Sequence, residues 1–129
     1  MISYLWVAVG GALGSVARFW LSGVIAMRYG LTFPYGTLFV NVSGSLVIGL
    51  LAGLSDTEGR FLVSPSFREF LMIGVCGGYT TFSSFSLQTF ALAQNGEWAR
   101  AGANSIASFV LCLVAVWAGY LCASLLSKR

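Results

Sequence analysis

The chain contains no histidine, and only 4 of its 129 residues are acidic. Asp56, Glu58, Glu69 and Glu97 all fall between the apolar stretches or at their ends. A proton relay or a carboxylate-bound cation substrate needs ionisable groups at membrane depth, so this placement argues against both. Cysteine is scarce too. Cys76, Cys112 and Cys122 are odd in number, lie inside apolar segments and match no metal-binding spacing, which leaves them as small packing residues rather than a disulfide framework. The 7 basic residues give a net charge of +3 but form no basic patch, so nucleic acid is not an expected partner. The N-terminus lacks a basic region ahead of its apolar run and is read as a retained span, not a cleaved signal peptide. No catalytic constellation is present, and enzymatic activity is not expected.

What is abundant is apolar surface. With 57% hydrophobic and 9% charged residues and a mean hydropathy of +0.85, the composition is that of an integral membrane protein and not of a soluble domain. Four candidate spans, about 2–27, 35–54, 70–93 and 101–126, each reach the roughly 20 residues a helix needs to cross a bilayer. The connections are short: Arg28 to Pro34 carries a helix-stopping proline, Ser55 to Ser66 holds acidic and Gly/Pro punctuation, and Gln94 to Arg100 contains Asn-Gly. They leave no room for a soluble domain, so residues 1–129 read as one all-α, four-span membrane domain with both termini on one side.

Orientation is weakly specified. The side holding the termini and the second connection carries Arg60, Arg68, Lys128 and Arg129, against Arg28, Arg100 and the intraspan Arg18 on the other, which is four against three. Either the first helix fixes a single orientation, or the chain inserts both ways up and pairs as an antiparallel dimer about an axis in the membrane plane. Small residues four apart recur at Gly10 and Gly14, at Ser45, Gly49 and Gly53, at Gly74 and Gly78, and at Ala115 and Gly119. Such rows let helix backbones approach closely, chiefly within one bundle.

The stretch Gly74 to Ser86, GVCGGYTTFSSFS, packs 3 glycines, 2 threonines and 3 serines into the middle of the third span. Glycine costs about 1 kcal/mol against alanine in a helix, so an interruption is expected near Gly77 to Thr81. Freed backbone groups at membrane depth are tolerated only where protein, an ion or a water-filled cavity satisfies them, which makes this a site. Thr37, Asn41 and Ser45 line one face of span two, and Asn104, Ser108 and Cys112 one face of span four. Interhelical hydrogen bonding explains serine and threonine there, but the buried amide of Asn41 brings two donors that its own helix cannot silence. Phe82 and Phe85 follow the expected break on a shared face. They are either core, or a pair of positively polarised ring edges beside neutral donors, attracting an anion weakly. Weak, multi-site attraction suits conduction. Arg18 is either a snorkelling or helix-end partner or a source of positive potential in an aqueous vestibule.

Together GGALGSVAR in span one, GTLFVNVSGSLVIG in span two and GVCGGYTTFSSF in span three resemble the Fluc family of bacterial fluoride channels, also called CrcB. The resemblance covers essentially the whole chain. It implies an antiparallel, dual-topology homodimer of four-span subunits with two fluoride pores. It also implies a structural sodium ion held by backbone carbonyls at the third-span break, here Gly77 and Thr80. The family's pore phenylalanines fall on Phe82 and Phe85, its pore asparagine on Asn41, and its polar track on Ser108 with Thr37 nearby. Asn104 stands where some relatives carry tyrosine, and Cys112 where a hydroxyl or glycine is expected; a thiol is the poorer donor.

The implied function is passive, selective export of fluoride across the bacterial inner membrane, protecting the cell from fluoride toxicity. A rival class, the small four-span dual-topology multidrug antiporter, needs a membrane-embedded carboxylate that this chain does not offer. A third, a non-transporting membrane assembly protein, makes the polar stripes mere packing.

Overall fold

The computed structural model describes residues 2–56 and 64–127. Most of the expected second connection, with Glu58 and Arg60, and the terminal Lys128 and Arg129 lie outside the described residues. Every described element is helical: α1 (Ile2–Tyr29), α2 (Tyr35–Asp56), α3 (Pro65–Arg68), a π-helical segment (Glu69–Cys76), α4 (Gly77–Tyr79), α5 (Phe82–Gln94) and α6 (Trp98–Ser127). Four stretches are long and apolar enough to cross a membrane: Ile2–Tyr29, Tyr35–Ser55, Pro65–Gln94 and Trp98–Leu126. The third comprises α3, the π-helical segment, α4 and α5.

Local chemistry sets the ends of these helices. Gly30 takes φ +81°, a conformation glycine adopts at no steric cost, and its N–H closes α1 on the Ala26 carbonyl at 2.9 Å. Pro34 precedes α2 and supplies the first acceptor, 3.1 Å from the Leu38 N–H. Ser64 caps α3, its Oγ accepting the Phe67 N–H at 3.4 Å with Pro65 in the first turn. This cap moves the start of the third helical run back from the expected position near 70, because a capped proline opens a helix in polar sequence that hydropathy alone does not mark. At Asn95-Gly96 the chain turns with Gly96 at φ +78°, and the Glu97 N–H reaches the Leu92 carbonyl at 2.9 Å.

The small-residue rows meet within the chain. On α1, Gly10 faces the backbone of Phe70 and Gly74, and Gly14 that of Val75, Gly78 and Tyr79. On α2, Gly49 lies on the Val116 backbone, while Gly119 of α6 lies on Leu46 and Leu50. A methyl group at any of these glycines would collide with main chain, so each pair sets how near two helices can come. The result is two tight pairs, α1 with the third helical run and α2 with α6. Gly44 of α2 makes room for the Tyr79 ring and the Thr80 methyl, which brings α2 against the end of α4. The remaining outward faces are apolar, among them Phe19, Trp20 and Trp117, as expected of surfaces that meet lipid or another apolar partner.

Glu69 to Cys76 winds as a π-helix, a geometry that no residue in the segment foreshadows. Its wider turns rotate everything that follows relative to a regular α-helix. Among the described residues, Glu69 begins this segment with one carboxylate oxygen buried and unpartnered.

Candidate functional site

Between α4 and α5 the chain leaves helical geometry for two residues, Thr80 (φ −82°, ψ 156°) and Thr81 (φ −152°, ψ 115°). Side chains take over the hydrogen bonds that the helix forgoes here. The Thr81 N–H turns to Asn41 Oδ1 at 2.8 Å, and Asn41 Nδ2 donates to the Thr81 carbonyl at 3.0 Å. One carboxamide on α2 therefore pairs with both backbone polar groups of one residue, much as a neighbouring strand would. The Thr81 N–H can only donate, and this fixes which way the amide points. A second N–H of Nδ2 stays uncommitted among the described residues.

On the other side of the interruption, the Gly78 carbonyl accepts from Arg18 Nε at 3.2 Å and Ser15 Oγ at 3.4 Å, both from α1. Thr81 is the N-cap of α5: its Oγ1 accepts the Ser84 N–H at 3.2 Å and lies 3.0 Å from Ser84 Oγ. The Thr80 hydroxyl folds back onto the Cys76 carbonyl at 2.9 Å. Two carbonyls lose their helical partners as a result. The N–H groups of Thr81 and Ser84, which a continuous helix would aim at the Gly77 and Thr80 carbonyls, are both engaged by side chains instead.

A cavity of 320 Å³ opens beside the Asn41 clamp, lined among others by Asn41, Thr80, Phe82, Phe85, Ser108 and Cys112. Among the described residues, no ionisable acid or base other than thiol lies in its wall. The two phenylalanine rings stand 5.3 Å apart, tilted by 48°, but their environments differ. Phe85 is 7% exposed and meets Phe109 edge-on at 6.3 Å, whereas Phe82 is 68% exposed. In the same wall, Ser108 is 8% exposed, and its Oγ has no hydrogen-bond partner among the described residues. A buried hydroxyl left without a partner carries a desolvation cost, so a ligand that accepts its proton is favoured there.

The structure thus brings Asn41, Phe82, Phe85, Ser108, Gly77 and Thr80 to one cavity and places two other candidates elsewhere. Thr37 opens one turn away into a second cavity of 470 Å³, shared with Gln88, whose Oε1 is buried without a partner among the described residues. Arg18 is at the Gly78 carbonyl. The span-four stripe also divides: Ser108 and Cys112 face the first cavity, while Asn104, 2% exposed, donates to Thr89 Oγ1 at 2.8 Å, which in turn donates to the Phe85 carbonyl at 2.8 Å.

The comparison with known sequences agrees with this architecture. The family model described as CrcB-like protein, Camphor Resistance (CrcB), matches residues 5–120. The chain belongs to the CrcB-like family. A relative from Opitutus terrae, named Fluoride-specific ion channel FluC, is 60% identical over 123 residues, covering 95% of this chain and 93% of its own. Proteins of the same name from Rhodospirillum rubrum and Paramagnetospirillum magneticum are 54% and 52% identical, covering 98% and 99% of this chain and 98% and 100% of their own.

Several residues around this cavity have no clear signature in the sequence. Ser15 and Phe109 carry no pattern that assigns them to the site. Tyr79, whose hydroxyl lies 2.9 Å from Ser43 Oγ, reads from sequence only as part of a glycine-rich run. Gln88 had a signal available, a polar residue inside an apolar span three positions after Phe85.

If the Asn41 clamp supports the interruption, Asn41→Leu removes both its hydrogen bonds at similar size. Each polar group left unpaired costs about 1–3 kcal/mol. The thermal midpoint in detergent is expected to fall clearly for Asn41→Leu and little for Ser45→Ala, which lines the same cavity. Equal midpoints for the two variants would refute the clamp.

Proposed function

We propose that this chain is a fluoride-selective channel through which fluoride leaves the cell passively across the bacterial inner membrane. The observation that carries the reading is the cavity beside Asn41: an unpartnered Ser108 hydroxyl, an amide donor and two phenylalanine rings, with no fixed full charge. The names of relatives more than half identical to this chain support the choice of ion. A small, hard anion is offered O–H and N–H donors and the positive edges of aromatic rings, each attraction weak enough to release it. In acidic surroundings fluoride enters the cell as neutral hydrogen fluoride and ionises in the less acidic interior, so an anion path alone lets it drain down its electrochemical gradient. No energy-coupling domain is required. The multidrug antiporter reading lacks a carboxylate within the cavity, and the assembly-protein reading leaves the Ser108 hydroxyl buried without use.

In this reading residues 1–129 form one four-span domain, and two copies assemble in opposed orientation with the interruption of the third helix near the bilayer midplane. The exposure of Phe82 and Gly77 on the single chain suits burial against a second copy. The Gly77 and Thr80 carbonyls, freed by the Asn41 and Thr81 side chains, fit a hard monovalent cation, and sodium is the ion proposed. Bound there, it would supply positive charge that offsets the negative ends of these carbonyl dipoles. Asn41 and Ser108 offer donors to fluoride, Phe82 and Phe85 their ring edges, and Thr37 lines the path beyond. Arg18 adds positive potential on the approach while holding the Gly78 carbonyl.

Phe82→Ile and Phe85→Ile keep most of the apolar bulk and remove the polarised edge. Such swaps cost less than about 1.5 kcal/mol, so each variant should remain dimeric on a sizing column while initial fluoride efflux from liposomes falls at least tenfold. Dimeric variants that conduct like the parent would show that ring electrostatics play no part. For the assembly, an impermeant maleimide should label Thr32→Cys, in the connection between α1 and α2, from both faces of the membrane. Labelling on one face alone contradicts opposed insertion. Sodium removal should lower the dimer's thermal midpoint, and indifference to sodium contradicts the cation site.

A further inference from the structure

The stripe on α6 ends at Cys112, one helical turn beyond Ser108, and its thiol is half-buried in the wall of the cavity that holds the unpartnered Ser108 hydroxyl. The other two cysteines are differently placed. Cys76 also borders this cavity but is only 4% exposed, and Cys122 sits ten residues further along α6 on an exposed apolar face. Among the described residues no cluster of three or more metal-ligating side chains exists, so a soft metal arriving here meets single thiols, of which Cys112 is more open than Cys76.

We propose that Cys112 is a site for thiophilic metals of the mercury(II) class, and that its occupation closes the path past Ser108. The inference rests on the cavity being the conduction path. Mercuric chloride is neutral and small and reaches the cavity from water or lipid. The thiol loses its proton, sulfur bonds to mercury, and one chloride leaves: Cys–SH and HgCl₂ give Cys–S–HgCl, H⁺ and Cl⁻. No oxidant or reductant takes part. The adduct stands one turn from Ser108 in the wall of this cavity, and replaces a weak donor with a bulky electrophile that retains anions. A sulfur at this position therefore makes the protein vulnerable where a hydroxyl would not, because soft metals bind thiolate in preference to oxygen.

The test uses full-length protein in liposomes treated with micromolar mercuric chloride, with fluoride efflux and intact-protein mass read on the same sample. Wild type, Cys112→Ser and Cys122→Ser are compared, each against its own untreated rate, and a sizing column reports assembly. Wild type and Cys122→Ser should lose at least nine-tenths of their efflux and regain it with excess dithiothreitol, while Cys112→Ser keeps its rate. Absence of a mercury adduct on Cys112 overturns the site and leaves the channel reading intact. An adduct on Cys112 with undiminished efflux overturns the proposal by removing its premise that fluoride passes this cavity. Equal block in Cys112→Ser overturns it in favour of another thiol.

Discussion

A backbone that leaves the helical ladder inside a bilayer must recover every lost hydrogen bond from within the protein, since hydrocarbon offers none. Most of the polar architecture of this chain answers that constraint at Thr80 and Thr81. Asn41 serves both groups of Thr81, Arg18 and Ser15 serve the Gly78 carbonyl, and the Thr81 hydroxyl caps α5. The first three partners come from α1 and α2, so the interruption holds its shape only because both helices are packed hard against it. The glycine contacts of α1 with Gly74 and Gly78, and the space that Gly44 leaves for Tyr79 and Thr80, give that packing its closeness.

The same economy of polar groups shapes the cavity. Ser15, Ser43, Thr80, Thr81 and Thr89 all have hydrogen-bond partners, and the Ser108 hydroxyl stands apart as buried and unmatched among the described residues. Asn104 and Thr89 link α6 to α5 and end on the carbonyl of Phe85, whose buried ring lines the same cavity as Ser108. Neutral donors and ring edges, rather than a cation, suit a site that must release what it attracts.

The spans were legible in the sequence because 20-residue apolar runs interrupted by Pro34, Pro65 and Asn95-Gly96 admit few other readings. The third helix starts earlier than hydropathy indicates, since the Ser64-Pro65 cap is polar, and nothing in Glu69 to Cys76 marks the π-helical geometry of that segment. Asn41 stood out as an amide in an apolar run, but its attachment to Thr81, forty positions away, depends on how α2 docks. For the same reason the four-residue spacing of Thr37 and Asn41 did not show that they open into different cavities, nor that Asn104 turns from the stripe it shares with Ser108. Face periodicity assigns residues to a side of a helix; neighbouring helices decide which of them meet.

The central claim is that this chain passes fluoride as a bare charge and excludes larger halides. Liposomes loaded with equal potassium fluoride and potassium chloride, monitored with electrodes for both anions, test it directly. Fluoride should leave only after a potassium ionophore relieves the charge that accumulates, with chloride retained throughout. Fluoride release without the ionophore but coupled to proton movement, or chloride leaving at a similar rate, would contradict the account.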